Sequence, residues 1–73
     1  MNLSDLGIGE TGKVVAVNGS NAISKRLMEM GIVPGVTIRV VKTAPFGDPI
    51  EVRVLGYSLA MRRNEAETIE IAV

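Results

Sequence analysis

Val36-Thr37-Ile38-Arg39-Val40 and Ile50-Glu51-Val52-Arg53-Val54 both alternate apolar with polar residues, and Thr43-Ala44-Pro45-Phe46-Gly47-Asp48-Pro49 lies between them. A period of two gathers Val36, Ile38 and Val40 on one face of a strand and Ile50, Val52 and Val54 on one face of the next. Prolines and a glycine interrupt the pattern in between, so the stretch predicts a hairpin with an irregular tip. Upstream, the β-branched run Lys13 to Val17 predicts an earlier strand, and Asn18-Gly19 marks a turn after it. Ser20 or Asn21 can cap a helix that runs through Met30, with Ile23, Leu27 and Met30 at i, i+4 and i+7 on one face. Gly31 sits where a left-handed residue ends a helix, Ile32 can fold back onto the last turn, and Pro34 blocks continuation. Downstream of Gly56, Tyr57 to Met61 predicts a fourth strand. A polar turn around Arg63-Asn64-Glu65 leads to a fifth at Thr68 to Val73, with Ile69, Ile71 and Val73 facing inward.

Five short strands with one helix inserted after the first would leave exposed edges in a flat sheet, whereas curling into a small barrel closes most of them. The expected fold is therefore all-β with one inserted helix, a small five-stranded barrel forming one domain over residues 1–73. The helix covers one end or flank and buries Ile23, Leu27 and Met30, each worth about 1.5–3 kcal/mol when fully buried. With 73 residues the chain can bury about 60% of the surface its unfolded form exposes. Hydrophobic residues make up 47% of it, enough for a packed core and unlike a disordered segment.

Composition excludes several kinds of chemistry. Eight basic residues balance eight acidic ones, so no global field draws the chain to nucleic acid or to an anionic membrane. There is no Cys and no His, which removes disulfides, thiolate or imidazole metal ligands, and the commonest nucleophile and general base. The opening Met1-Asn2-Leu3-Ser4-Asp5-Leu6 lacks a basic start and a long apolar run, and no stretch approaches the eighteen or so apolar residues of a membrane span. The reading is a cytoplasmic protein without direct membrane insertion, without a cofactor and without catalysis.

Gly7-Ile8-Gly9-Glu10-Thr11-Gly12 is a literal G-x-G-x-x-G, but a phosphate cradle needs a strand before the glycines and a helix after them. Here a strand follows, so these are turn-forming glycines. Asn18-Gly19-Ser20, formally a glycosylation acceptor, reads as turn plus cap. Glu65, Glu67 and Glu70 read as a solvated face rather than a catalytic carboxylate pair. Met28, Met30 and Met61 read as core, and any directly bound iron would need carboxylates such as Asp48, Glu65 or Glu67 at exposed positions. Lys25-Arg26 with Arg62-Arg63 could form a basic patch, but one Phe and one Tyr are too few for base stacking, so nucleic acid is not an expected partner.

Three stretches together resemble one known family. Arg26-Leu27-Met28-Glu29-Met30-Gly31-Ile32-Val33-Pro34-Gly35, Ala44-Pro45-Phe46-Gly47-Asp48-Pro49-Ile50-Glu51-Val52 and Gly56-Tyr57-Ser58-Leu59-Ala60-Met61-Arg62 look like the ferrous iron transport protein A (FeoA) pattern. Leu3-Ser4-Asp5-Leu6 and Gly12-Lys13-Val14 fit it too. The resemblance implies an SH3-like barrel in the cytosol that associates with the membrane ferrous iron transporter FeoB and supports or regulates its GTP-linked uptake. It also brings two alternatives: a stand-alone regulatory module of the kind found at the C-terminus of metal-dependent repressors, and a weak transition-metal-binding protein.

A chain without reactive groups must act through its surface, and two surfaces stand out for binding a partner. Phe46 sits among turn residues and is either a lid over the barrel mouth or an exposed anchor. The outward helix face carries Lys25, Arg26 and Glu29, for which solvated residues are the competing explanation. Strand edges leave self-association open as well.

Overall fold

The computed structural model describes residues 1–72. Its sheet has five antiparallel strands in the order β4-β3-β2-β1-β5, with β1 Thr11–Val17, β2 Thr37–Thr43, β3 Ile50–Val54, β4 Tyr57–Met61 and β5 Ile69–Ala72. One helix, α1, covers Asn21–Glu29, and a second, α2, covers Arg63–Ala66. The predicted strands are all present. The first begins two residues earlier than its β-branched run, because Thr11 and Gly12 already pair with Arg39 and Ile38 of β2. The inward position expected for Val73 lies outside the described residues.

The sheet curls because its ladders are bent where a residue is inserted. Register shifts fall between Val14 and Ala16 on β1 and between Val40 and Lys42 on β2, and bulges of this kind raise local twist and bend the strand. The inner face gathers Val14, Ile38, Val40, Ile50, Val52, Val54, Met61, Ile69 and Ile71, and Leu3, Leu6, Leu27, Ile32 and Ala66 complete the core. Alternation did its expected work: β3 reads buried at Ile50, Val52 and Val54, and β5 at Ile69 and Ile71.

The end of α1 is a Schellman motif. The Gly31 amide donates to the Met28 carbonyl and the Ile32 amide to the Leu27 carbonyl, both at 3.0 Å, with Gly31 at φ +96°. Leu27 and Ile32 are both wholly buried, which is the hydrophobic contact that accompanies the motif. At the other end, Ser20 Oγ accepts from the Ile23 amide as the N-cap. Ile23 and Met30 are only half-buried against the core, so Leu27 alone of the three predicted helix positions is fully enclosed. Met28 is a correction: it is exposed, not core, because it lies two residues from Met30 and so points to another face of the helix.

The Gly7-to-Gly12 segment is a turn followed by strand. The Gly9 amide donates to the Val40 carbonyl at 2.7 Å and the Gly7 amide to Glu10 Oε1 at 2.6 Å, so these donors are engaged within the chain. Gly12 lies within β1, where a Cβ would collide with the Ile71 side chain.

Candidate interaction surface

The β2–β3 connection folds on itself. The Ala44 amide donates to the Pro49 carbonyl at 3.0 Å and the Gly47 amide to the Ala44 carbonyl at 2.7 Å, with Gly47 at φ +79°. This turn pushes Phe46 outward until 96% of it is exposed. Phe46 therefore does not form a lid over the barrel mouth.

The loop is held from behind by α2. The Arg63 amide, at the start of α2, donates to Asp48 Oδ1 at 3.0 Å, and the Arg63 guanidinium lies against Gly47. Glu65 then ties α2 to two further places. Its carboxylate accepts from the Arg62 amide at 2.9 Å and pairs with Arg26 Nη1 at 3.2 Å. The side chain of Glu65 is 6% exposed while that of Arg26 is 66% exposed. The polar turn expected around Arg63-Asn64-Glu65 is one turn of helix, α2. One expectation is corrected here: Glu65 is a buried cap and ion-pair acceptor rather than part of a solvated face. Four residues are too few for helical periodicity to show.

Of the predicted helix-face residues, Lys25, Arg26 and Glu29 are all exposed. Arg26 is also the link from α1 to α2, so the two predicted surfaces are joined through Arg26, Glu65, Arg63 and Asp48. Sequence reading missed a third feature beside the helix end. Leu55 and Gly56 form the β3–β4 turn, both with positive φ, at +53° and +84°, and Leu55 is 65% exposed. The Tyr57 hydroxyl donates to the Met30 carbonyl, so Tyr57 packs onto the end of α1 beside Gly31. The two-residue spacing between Val54 and Tyr57 was the available signal.

The described residues contain no group of three or more carboxylates placed to hold a metal ion, and no helix is long and apolar enough to cross a membrane. A strongly curled five-stranded antiparallel sheet with the capped helix α1 and the short helix α2 defines a small SH3-like β domain. Comparison with known proteins makes the assignment specific. The FeoA domain model matches residues 1–73, and the chain belongs to the FeoA family.

A solution structure of FeoA from Chlorobium tepidum shares 45% identity and superposes with a TM-score of 0.93, covering 100% of this chain and 70% of that one. The zinc complex of FeoA from Stenotrophomonas maltophilia, described as a prokaryotic SH3 domain protein, is 34% identical with a TM-score of 0.87, covering 99% of this chain and 89% of that one. A curated relative from Porphyromonas gingivalis, an Fe(2+) transport protein A/Fe(2+) transporter FeoB fusion protein, is 42% identical over 71 residues. That match takes in 97% of this chain and 8% of the relative, so the chain spans under a tenth of that relative's length. A manganese-dependent transcriptional repressor, at 20% identity and a TM-score of 0.90 over 99% of this chain and 35% of that one, shares the fold alone.

Proposed function

We propose that this chain is a non-catalytic accessory module of ferrous iron uptake, working in the cytosol by binding the membrane transporter FeoB and modulating its GTP-linked transport. The observation that supports this most directly is the relative in which a FeoA sequence and the FeoB transporter are parts of one fusion protein. Covalent fusion keeps two partners at high effective concentration, which favours a contact between them.

The contact surface in this reading is Phe46 with the α1 face of Lys25, Arg26 and Glu29. A fully exposed aromatic on a loop fixed by hydrogen bonds can enter a partner's pocket with little ordering cost. The test is a pull-down of the purified chain with the solubilised transporter of the same cell, with and without guanine nucleotide, comparing wild type with Phe46→Ala. Specific retention by wild type and its loss in the variant support the reading. Absence of retention in every nucleotide state refutes the partner.

A further inference from the structure

The sheet has two outer strands, and the chain treats them differently. The outer edge of β5 is covered by the chain's own start: the Ile71 amide donates to the Met1 carbonyl at 2.8 Å, and Asn2 bridges Glu70. The outer edge of β4 has no such cover. Its hairpin pairs Val54 with Tyr57 across the two-residue turn, then Arg53 with Ser58, Val52 with Leu59 and Glu51 with Ala60. In that register the hydrogen-bonded pairs are those of Tyr57, Leu59 and Met61, and the N–H and C=O of Ser58 and Ala60 point away from β3. Among the described residues no backbone or side-chain group bonds to them. Ser58 and Ala60 are both exposed.

Folded proteins usually guard such an edge with charge, proline, a bulge or a covering segment. Tyr57-Ser58-Leu59-Ala60-Met61 contains no charge and no proline, and its ladder with β3 runs without a register shift. On the outer face next to this edge, Glu51 beside Ala60 stands opposite Lys42, whereas the positive charge beside Ser58 is unmatched. Arg39 and Arg53 stand directly opposite each other on β2 and β3, an arrangement that destabilises a sheet. Both are exposed, and they line a groove of about 460 Å³ with Ile8 and Gly9. The one ion pair among the described residues is Arg26 with Glu65, so neither arginine has a carboxylate partner there.

We propose that the free edge of β4 is a strand-addition site for an extended segment of a partner protein that alternates acidic and apolar residues. Its backbone would pair with Ser58 and Ala60, and its apolar side chains would cover half-buried Leu59. An acidic side chain opposite Ser58 would lie two strand spacings, about 10 Å, from the Arg53 backbone. Ser58 is too small to obstruct the path, and an extended arginine and a glutamate together span that gap. A second copy of this chain fits poorly, since its β4 has no carboxylate and self-pairing would bring further arginines to the same face. The proposal does not depend on which protein supplies the strand.

The test tethers the peptide Thr-Val-Glu-Val-Glu-Val-Thr to the C-terminus of the full chain through a flexible Gly/Ser linker, giving an effective concentration on the order of millimolar. Amide exchange is then read by NMR. Exchange at Ser58 and Ala60 should slow at least about tenfold, as expected for amides drawn into a ladder, and high salt should weaken the effect. Ala60→Pro removes an outward N–H without touching the β3 ladder, so it should abolish the slowing while the far-ultraviolet circular dichroism is retained. Arg53→Gln, or Lys in place of Glu in the peptide, should each reduce it severalfold. Unchanged exchange in the fusion overturns the site, and equal slowing by the Lys peptide overturns the acidic specificity. Slowing in the untethered chain that grows with protein concentration assigns the edge to a second copy instead.

Discussion

Gly31→Ala tests the joint between helix and sheet. Gly31 has φ +96°, beyond the left-handed well that L-residues occupy, and a side chain forced there costs about 1–2 kcal/mol. The added Cβ would also stand 2.8 Å from the Tyr57 hydroxyl and 3.0 Å from Leu55 Cδ1. Moving Tyr57 aside gives up its bond to the Met30 carbonyl, a net loss of about 1 kcal/mol, and crowding Leu55 adds to it because Leu55 is itself fixed at positive φ. The total is about 2–4 kcal/mol, where the cap alone would suggest about 1 kcal/mol.

A chain of 73 residues has about 4–11 kcal/mol of stability to lose, so the substitution should lower Tm by roughly 10–30 °C. Urea denaturation followed by circular dichroism measures the change in stability. The same substitution in a Tyr57→Phe background, which lacks the hydroxyl, should cost about 1 kcal/mol less, and this coupling separates the steric contact from the backbone term. A Gly31→Ala cost below about 0.5 kcal/mol would refute the positive-φ assignment. A full cost with no coupling to Tyr57 would refute the packing of Tyr57 against the helix end.

Leu27→Ala should cost about 2–5 kcal/mol in the same assay, since Leu27 is wholly buried and its removal leaves a cavity. Gly12→Ala should cost about 1–3 kcal/mol, because Ile71 occupies the place of the new methyl group; a neutral result would contradict the β1–β5 packing. Glu65→Ala should cost about 1–3 kcal/mol by leaving the Arg62 amide without its acceptor, whereas Arg26→Ala, whose side chain is largely exposed, should cost at most about 1 kcal/mol. Phe46→Ala should leave denaturation within about 0.5 kcal/mol of wild type, since that side chain is almost entirely exposed.

Local signals were legible in the sequence wherever neighbours in the chain decide the structure. Gly31, Ile32 and Pro34 announced the end of α1 because a Schellman motif is made within six residues. The hairpin of β2 and β3 was legible because alternation and turn residues agree. The role of Glu65 was not: its cap on the Arg62 amide is local, but its burial and its ion pair depend on α1 bringing Arg26 to it from 39 positions away in the chain. The exposure of Phe46 was not legible either, since it is the loop's own hydrogen bonds that turn the ring outward and exclude the lid. The open edge of β4 was hidden for a different reason: a strand's sequence does not say which of its sides has a neighbour.

The placement of these features bears on how so small a surface could bind. A standard interface takes about 800 Å² from each partner, close to a fifth of the 4284 Å² this chain exposes. Neither the Phe46 loop nor a five-residue edge supplies that alone. They are neighbours, however: β4 ends at Met61, which pairs with Ile50, and the loop reaches Ile50 through Asp48 and Pro49. Arg62 and α2 continue from β4 and hold Asp48 through the Arg63 amide. A segment paired along β4 would therefore leave the sheet beside the Phe46 loop, and two weak contacts on one rigid frame act as linked sites whose combined strength exceeds either. A fused partner gains that linkage from its covalent tether, whereas a partner on a separate chain must gain it by engaging both features, which makes their adjacency matter most for a FeoA domain on its own chain.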